Sequence, residues 1–320
     1  MVDDIYIGAD NIDEAQAHLS AMRDAIRSFE LDINDAKTTI VEASADLEPF
    51  WPVELRREVE RYSDNSTRLS ARKSDFVHFL DEVLRRATNT RDDGIVKFVV
   101  RQIDKQEVWQ DFWELLEPFL VRVVISFPHC WDYAAQVVAW RNRREGLDLA
   151  LRRDVIHRSV KRHGISGHDS EVAWAVWLLK ELGASIEEDA VEMIVQRCGA
   201  ITALVALDAN ASSVAPRPIP RELLVSRVGE RPMCGSQWLL AYEADRQFGL
   251  RIKSRNVQGN EFFAQLYDDD VSFYNRGAEP FAFRDTDDPS EVRFAIDGRL
   301  TSYDSEVDDE DDESFDDEVF

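Results

Sequence analysis

The sequence predicts an α+β protein. A short β-α-β-β piece comes first, then a long, mainly α-helical body built as a solenoid or bundle, then a disordered acidic tail. Three observations predict this. "DIYIGA" near the start alternates apolar and polar residues and is rich in β-formers. From Pro52 onward apolar residues recur every three or four positions. Tyr303 to Phe320 carries eleven acids and no base, a block that repels itself and stays solvated. With 320 residues and 44% hydrophobic content, the chain can bury a sizeable core.

The opening piece covers residues 1–48. After the "DIYIGA" strand, Ile12, Ala15, Leu19, Met22, Ile26 and Phe29 are spaced 3, 4, 3, 4 and 3 apart, which is one helix face. Asn11 followed by Glu14 is a capping-box start. "LDIN" then reads as a short strand, "DAK" as a turn and "TTIVEA" as a further strand.

The helical body is expected over 49–211. Its segments include "RKSDFVHFLDEVLRRA", "QEVWQDFWELLEPFLVRVVISF", "WDYAAQVVAWRNRR" and "SEVAWAVWLLKELG", the last stopped by Gly183. No fixed repeat period is visible. "SSVAPRPIP" (Ser212 to Pro220) reads as a linker into further helices over 212–300, and 301–320 is the tail. Asp169 or Ser170 is expected to cap the "SEVAWAVWLLKELG" helix.

Several function classes are absent from the sequence. Cys130, Cys198 and Cys234 have no metal-site or disulfide-framework spacing, which suits a reducing, cytoplasmic location. Acids at positions 3 and 4 argue against a signal peptide. The most apolar run, "FLVRVVISF", is broken by Arg122 and too short for a bilayer, so no membrane partner is expected. No Walker loop, GxGxxG or HExxH occurs. His168-Asp169 with His129 and His163 lacks the spacing of an HD-type phosphohydrolase set.

The opening residues carry a more specific signal. Asp3-Asp4, an amphipathic helix, and then Leu31, Asn34, Lys37 and Thr38 follow in order. This resembles the palm of reverse transcriptases from the catalytic Y-x-D-D hairpin to the G-L-x-L-N-x-x-K-T element. Glu30 stands where the family commonly has glycine, Ile33 at the second leucine, and Met1 where it has an aromatic. The resemblance covers about 45 residues. It implies two-metal nucleotidyl transfer with Mg²⁺, or Mn²⁺ in its place, the ions ~4 Å apart. It implies Asp3 and Asp4 as catalytic metal-binding carboxylates and Lys37 near the nucleotide phosphates. The implied partners are dNTPs, RNA and/or DNA, and the fingers and earlier palm that precede this hairpin in the family. These are expected in the same or another chain, through a truncated gene, a mis-called start or a split protein, so this chain alone is expected to be inactive. A palm followed by a long helical body, with "HDSEVAWAVWLLKELG" as a further family-like feature, resembles the defence-associated reverse transcriptases of bacteria, including the abortive-infection type. That likeness implies an antiphage role.

A second Y-x-D-D match, "YDDD" at Tyr267 to Asp270, lacks the following helix and Asn-x-x-Lys-Thr and reads as a helix end and turn. Arg141 to Gly164 holds eight bases against three acids in a chain of net charge -25. Arg141, Arg143, Arg144, Arg152, Arg153, Arg158, Lys161 and Arg162 are therefore the candidate nucleic-acid contacts, with a solvated helix face as the plain alternative. The competing reading of the whole is a non-catalytic helical interaction protein whose palm remnant docks onto a protein or nucleic-acid partner.

Overall fold

The computed structural model describes residues 5, 7–35, 38–42, 51–63, 69–147, 150–213, 219–229, 232–251, 259–278 and 280. The chain divides into two compact units, Met1–Pro52 and Val53–Phe320. Among the described residues the regular structure is helical, with no strand.

In the first unit, α1 spans Ile12–Arg27. Its start follows from the sequence: the Asn11 side chain accepts the Glu14 N–H at 2.9 Å, and the Glu14 carboxylate accepts the Asp10 N–H at 2.9 Å. Glu30 sits at a φ of 60° just past the helix, and the Leu31 N–H reaches back to the Ile26 carbonyl. The three expected strands are not formed in their described residues. Ile5, Ile7, Leu31, Ile40 and Val41 are all exposed. Instead of joining a strand, Thr38 folds back, its N–H and hydroxyl both donating to the Asn34 carbonyl. Alternation gives a segment two distinct faces, but a strand exists only when another segment takes up its N–H and C=O groups. None of the described residues does so here. The α+β expectation is thus corrected to a mainly helical chain.

The second unit holds α2 from Val53 onward (Trp51–Ser63), α3 (Leu69–Thr90), α4 (Gly94–Lys105), α5 (Trp109–Ser126) and α6 (Trp131–Glu145). There follow α7 (Ala150–Ser166), α8 (Asp169–Glu181), α9 (Glu188–Arg197), α10 (Ala200–Ser212), α11 (Arg221–Val228), α12 (Trp238–Arg246) and α13 (Glu261–Asp268). Short 3₁₀ turns at Pro128–Cys130 and Pro232–Cys234 precede α6 and α12. Packing is between neighbours in the chain. The even helices α4, α6, α8, α10 and α12 each touch the next, while α3 touches α5, and α7, α9 and α11 form a second row. This is the solenoid-like order that many short helices in series suggested.

The core is continuous with that stacking. Near the start, Tyr62, Phe76 and Phe112 meet ring to ring, with centroids 5.0 Å and 4.7 Å apart. Further on, Ala203, Leu204 and Leu207 of α10 pack with Leu224 of α11 and Leu240 and Ala241 of α12. Helices before and after 212–220 therefore share one core. Nine residues of α10 are buried, as its nearly all-apolar sequence requires. Gly183, at a φ of 63°, ends α8, and the Ala184 N–H bonds the Leu179 carbonyl at 2.8 Å. The expected cap of α8 is corrected: His168 holds the N-cap position, while the Asp169 carboxylate accepts the Gly199 N–H at 2.7 Å. The second Y-x-D-D match is a helix end, as expected. Tyr267 closes the last turn of α13, Arg246 donates to its carbonyl at 3.1 Å, and Arg246 also pairs with Asp270.

Two buried carboxylates of this unit hold the segment after α13. Asp208 of α10 is 1% exposed and is met by Lys180 at 2.8 Å, Arg276 at 3.0 Å and the Tyr274 hydroxyl at 3.0 Å. Glu243 of α12 is 0% exposed and accepts the Phe273 N–H at 2.5 Å. Together they fasten residues 271–277 across α8, α10 and α12, aided by the Tyr242 hydroxyl donating to the Val271 carbonyl at 2.8 Å.

Candidate nucleic-acid interface

Asp3, Asp4 and Lys37 lie outside the described residues. Most of the stretch that links them is described: α1 lies between the aspartate pair and the Leu31 to Thr38 element. Residues 301–320, read as a tail, also lie outside.

The basic segment covers the end of α6 and most of α7. Its charges are placed in different ways. Arg141 is buried, its guanidinium 4.5 Å from the Trp109 ring centre and 5.3 Å from that of Trp113. That is an aromatic cradle for a cation inside the body. Arg143 gives two hydrogen bonds, 2.9 Å and 2.7 Å, to a Glu181 carboxylate whose own side chain is 3% exposed. Arg144 lies 4.8 Å over the Trp140 ring. Lys161 bridges Glu187 at 2.5 Å and Asp189 at 2.9 Å, and these bonds hold its ammonium above its ordinary pKa. Arg158 stays near Asp154, at 3.7 Å and in the open. The Arg152 side chain lies outside the described set, and Arg153 and Arg162 are exposed on α7.

Density in sequence therefore does not translate into one basic surface. A guanidinium engaged by a buried carboxylate is already committed, because leaving that carboxylate alone costs several kcal/mol. An exposed arginine has no such commitment and can meet a phosphate. Within the described residues, Arg153, Arg158 and Arg162 of α7 face solvent, and Arg144, though stacked on Trp140, is exposed as well. Arg141 and Arg143 fix α6 to α5 and α8, and Lys161 ties α7 to the start of α9.

A second polar site was not visible in the sequence. The starts of α4, α6 and α8 line a cleft of about 300 Å³ that includes Asp93, Lys97, His129, Trp131, Asp132 and Glu171. His129 Nδ1 lies 3.1 Å from Glu171 Oε1, with the imidazole in solvent and the carboxylate buried. Burial raises the Asp132 carboxyl above its ordinary pKa. Nearby, His163 Nδ1 lies 3.1 Å from His168 Nδ1, and burial lowers the His163 pKa. Each acid on its own reads as an ordinary partner of a helix start. Only the packing of α4, α6 and α8 brings them together.

No family model, curated protein or solved structure matches the chain. Among the described residues no helix is long and apolar enough to cross a membrane.

Proposed function

We propose that this chain contributes the aspartate-pair end of a palm to an RNA-directed DNA polymerase that acts in antiphage defence. The observation that carries the reading is order. Asp3-Asp4, a capped helix over Ile12–Arg27, and Leu31, Asn34, Lys37 and Thr38 follow one another as they do in reverse transcriptases. Exposure of Ile5, Ile7, Leu31, Ile40 and Val41 supports it, since these are the side chains that further palm strands would cover.

Adjacent carboxylates are hard oxygen donors, and one or two of them are the usual protein share of a Mg²⁺ site. Asp3 is assigned as the direct ligand, with Asp4 beside it and Lys37 toward the nucleotide phosphates. Asp3 and Asp4 would hold the metal, which would supply charge stabilisation for attacking and leaving oxygens, and Lys37 would steady the nucleotide phosphates. The test is dNTP incorporation on a primed template, with Mg²⁺ or Mn²⁺, by this chain combined with an upstream palm and fingers. Activity that Asp3→Asn abolishes is the expected result. Equal incorporation with and without Asp3 would overturn the assignment.

One observation favours a second reading. Val53–Phe320 carries its own core and leaves Arg153, Arg158 and Arg162 in solvent. A helical interaction protein that binds nucleic acid or protein without catalysis would be built this way. It would keep its binding when Asp3 is replaced and would give no polymerisation with any palm and fingers.

A further inference from the structure

Helix α7 packs on α8 and α9 and turns a buried histidine toward each. His163, 3% exposed, lies in the last turn of α7, and His168 stands at the N-cap of α8. Between them Gly167, at a φ of 77°, makes the turn, closed by the His168 N–H on the His163 carbonyl at 3.0 Å. The two rings meet across this turn, Nδ1 to Nδ1 at 3.1 Å. His157, 7% exposed, lies two turns before Gly164 on the same face, and Gly164 backs onto the Met193 side chain of α9. The His157 Nδ1 has no hydrogen-bond partner among the described residues. Around His163 stand Arg162 of its own helix, His168 and Glu171 of the α8 start, and His129 of the 3₁₀ turn before α6. Around His157 stand Arg153, Asp154 and Lys161 of α7 and Glu187 at the start of α9.

In the neutral pair one Nδ1–H donates and the other Nδ1 accepts. A first added proton is accommodated on the exposed His168, whose Nδ1–H then donates to neutral His163. A second must go to the accepting Nδ1 of His163. The hydrogen bond is then lost, and two cations face each other across the turn. Protonating His157 puts an N–H on both of its ring nitrogens, and its Nδ1 has no acceptor among the described residues. Burial leads the causes that lower both pKa values. Glu171 and Glu187 pull the other way, against Arg162, His168 and His129 at one site and Arg153 and Lys161 at the other. We propose that α7 is an acid-released helix, docked on α8 and α9 at neutral pH and freed when His163 and His157 each take up a proton. Both rings are held neutral in the docked form. Docking is therefore at full strength above the ordinary histidine value of about 6.5 and weakens as pH falls below it. The proposal concerns the second unit alone and does not depend on the polymerase reading.

The test is amide hydrogen exchange of the full chain at about pH 6.5 and about pH 5, corrected for intrinsic rates. A histidine that stays neutral when docked and titrates near 6.5 when released raises the opening constant by up to about 16-fold over that interval, and two raise it by up to about 250-fold. Amides from Val160 to Ser166 are expected to gain at least about tenfold in exchange rate. With His157→Gln and His163→Gln together, the gain should fall below about twofold. No gain in the wild-type chain, or an equal gain in the double variant, would overturn the proposal. If the double variant fails to fold, NMR titration of the wild-type imidazoles decides the matter. Among the six histidines, His157 and His163 are expected to titrate below about pH 6. An ordinary titration of either one would overturn the proposal.

Discussion

Replacing Asp208 with asparagine tests whether the second unit is held closed by buried charge. The substitution keeps shape and removes one negative charge. Asp208 is 1% exposed, and Lys180 (2.8 Å), Arg276 (3.0 Å) and the Tyr274 hydroxyl (3.0 Å) all converge on it. Burial and the adjacent Asp208 carboxylate both push the Tyr274 phenol above its ordinary pKa, so it stays a neutral donor. Breaking a buried pair by removing one partner costs about 3–5 kcal/mol, because the remaining charge is left uncompensated. The side chain of Lys180 is only 11% exposed, so water offers it little relief. For a unit of this size each kcal/mol lowers Tm by about 2–4 °C, so Asp208→Asn should lower Tm by roughly 6–20 °C. A matched control is Asp81→Asn. Asp81 pairs with Arg122 at 2.6 Å, a shorter contact, but both side chains are more than half exposed. Solvent-screened pairs contribute about 0–1 kcal/mol, so this variant should shift Tm by no more than about 4 °C. Lys180→Met should resemble Asp208→Asn, and the double variant should lose less than the two singles added together. Thermal melts followed by circular dichroism give all four values. Equal shifts for Asp208→Asn and Asp81→Asn would refute the argument that burial, rather than distance, sets the strength of these contacts.

Two further predictions concern thiols and phosphate contacts. Burial pushes the Cys130 and Cys198 thiols up to about 12, whereas Cys234 is exposed. At pH 8 only about one in ten thousand of each buried thiol is ionised, so a disulfide reagent should titrate one cysteine in the native chain and all three after denaturation. Rapid reaction of two or more in the native state would contradict this. On α7, Arg153→Glu with Arg162→Glu should weaken binding to duplex DNA and reduce the slope of log K against log salt by about two. Fluorescence anisotropy over a salt series measures it, and an unchanged slope would return the segment to a solvated helix face.

The legible parts of the sequence are those decided within one or two helical turns. The Asn11 cap, the three- and four-residue spacings from Ile12 to Ile26, the Gly183 stop and the helix end at Tyr267 to Asp270 each rest on backbone contacts or spacings of no more than five positions. Their physics is complete in the local sequence. The strands were misjudged for the opposite reason. Ile5 and Ile7 alternate correctly, yet strand formation needs a partner edge that local sequence does not specify. The basic segment failed in the same way. Arg143 finds Glu181 thirty-eight residues later, and Lys161 finds Glu187 and Asp189 at the start of α9. A charge run measures what is available to a surface before the fold assigns partners. Asp208 shows that some of this assignment can still be read. It is the one charged residue in the otherwise neutral α10 helix "AITALVALDANAS". An ion enclosed by that much apolar sequence must be paired if the helix is buried, so the acid itself announces cations elsewhere in the chain. Lys180 and Arg276, twenty-eight residues before it and sixty-eight after it, are those cations. Sequence reasoning could therefore have predicted that Asp208 is paired, but not by which residues, because the identity of the partners depends on how α8 and the 271–277 segment come to rest on α10.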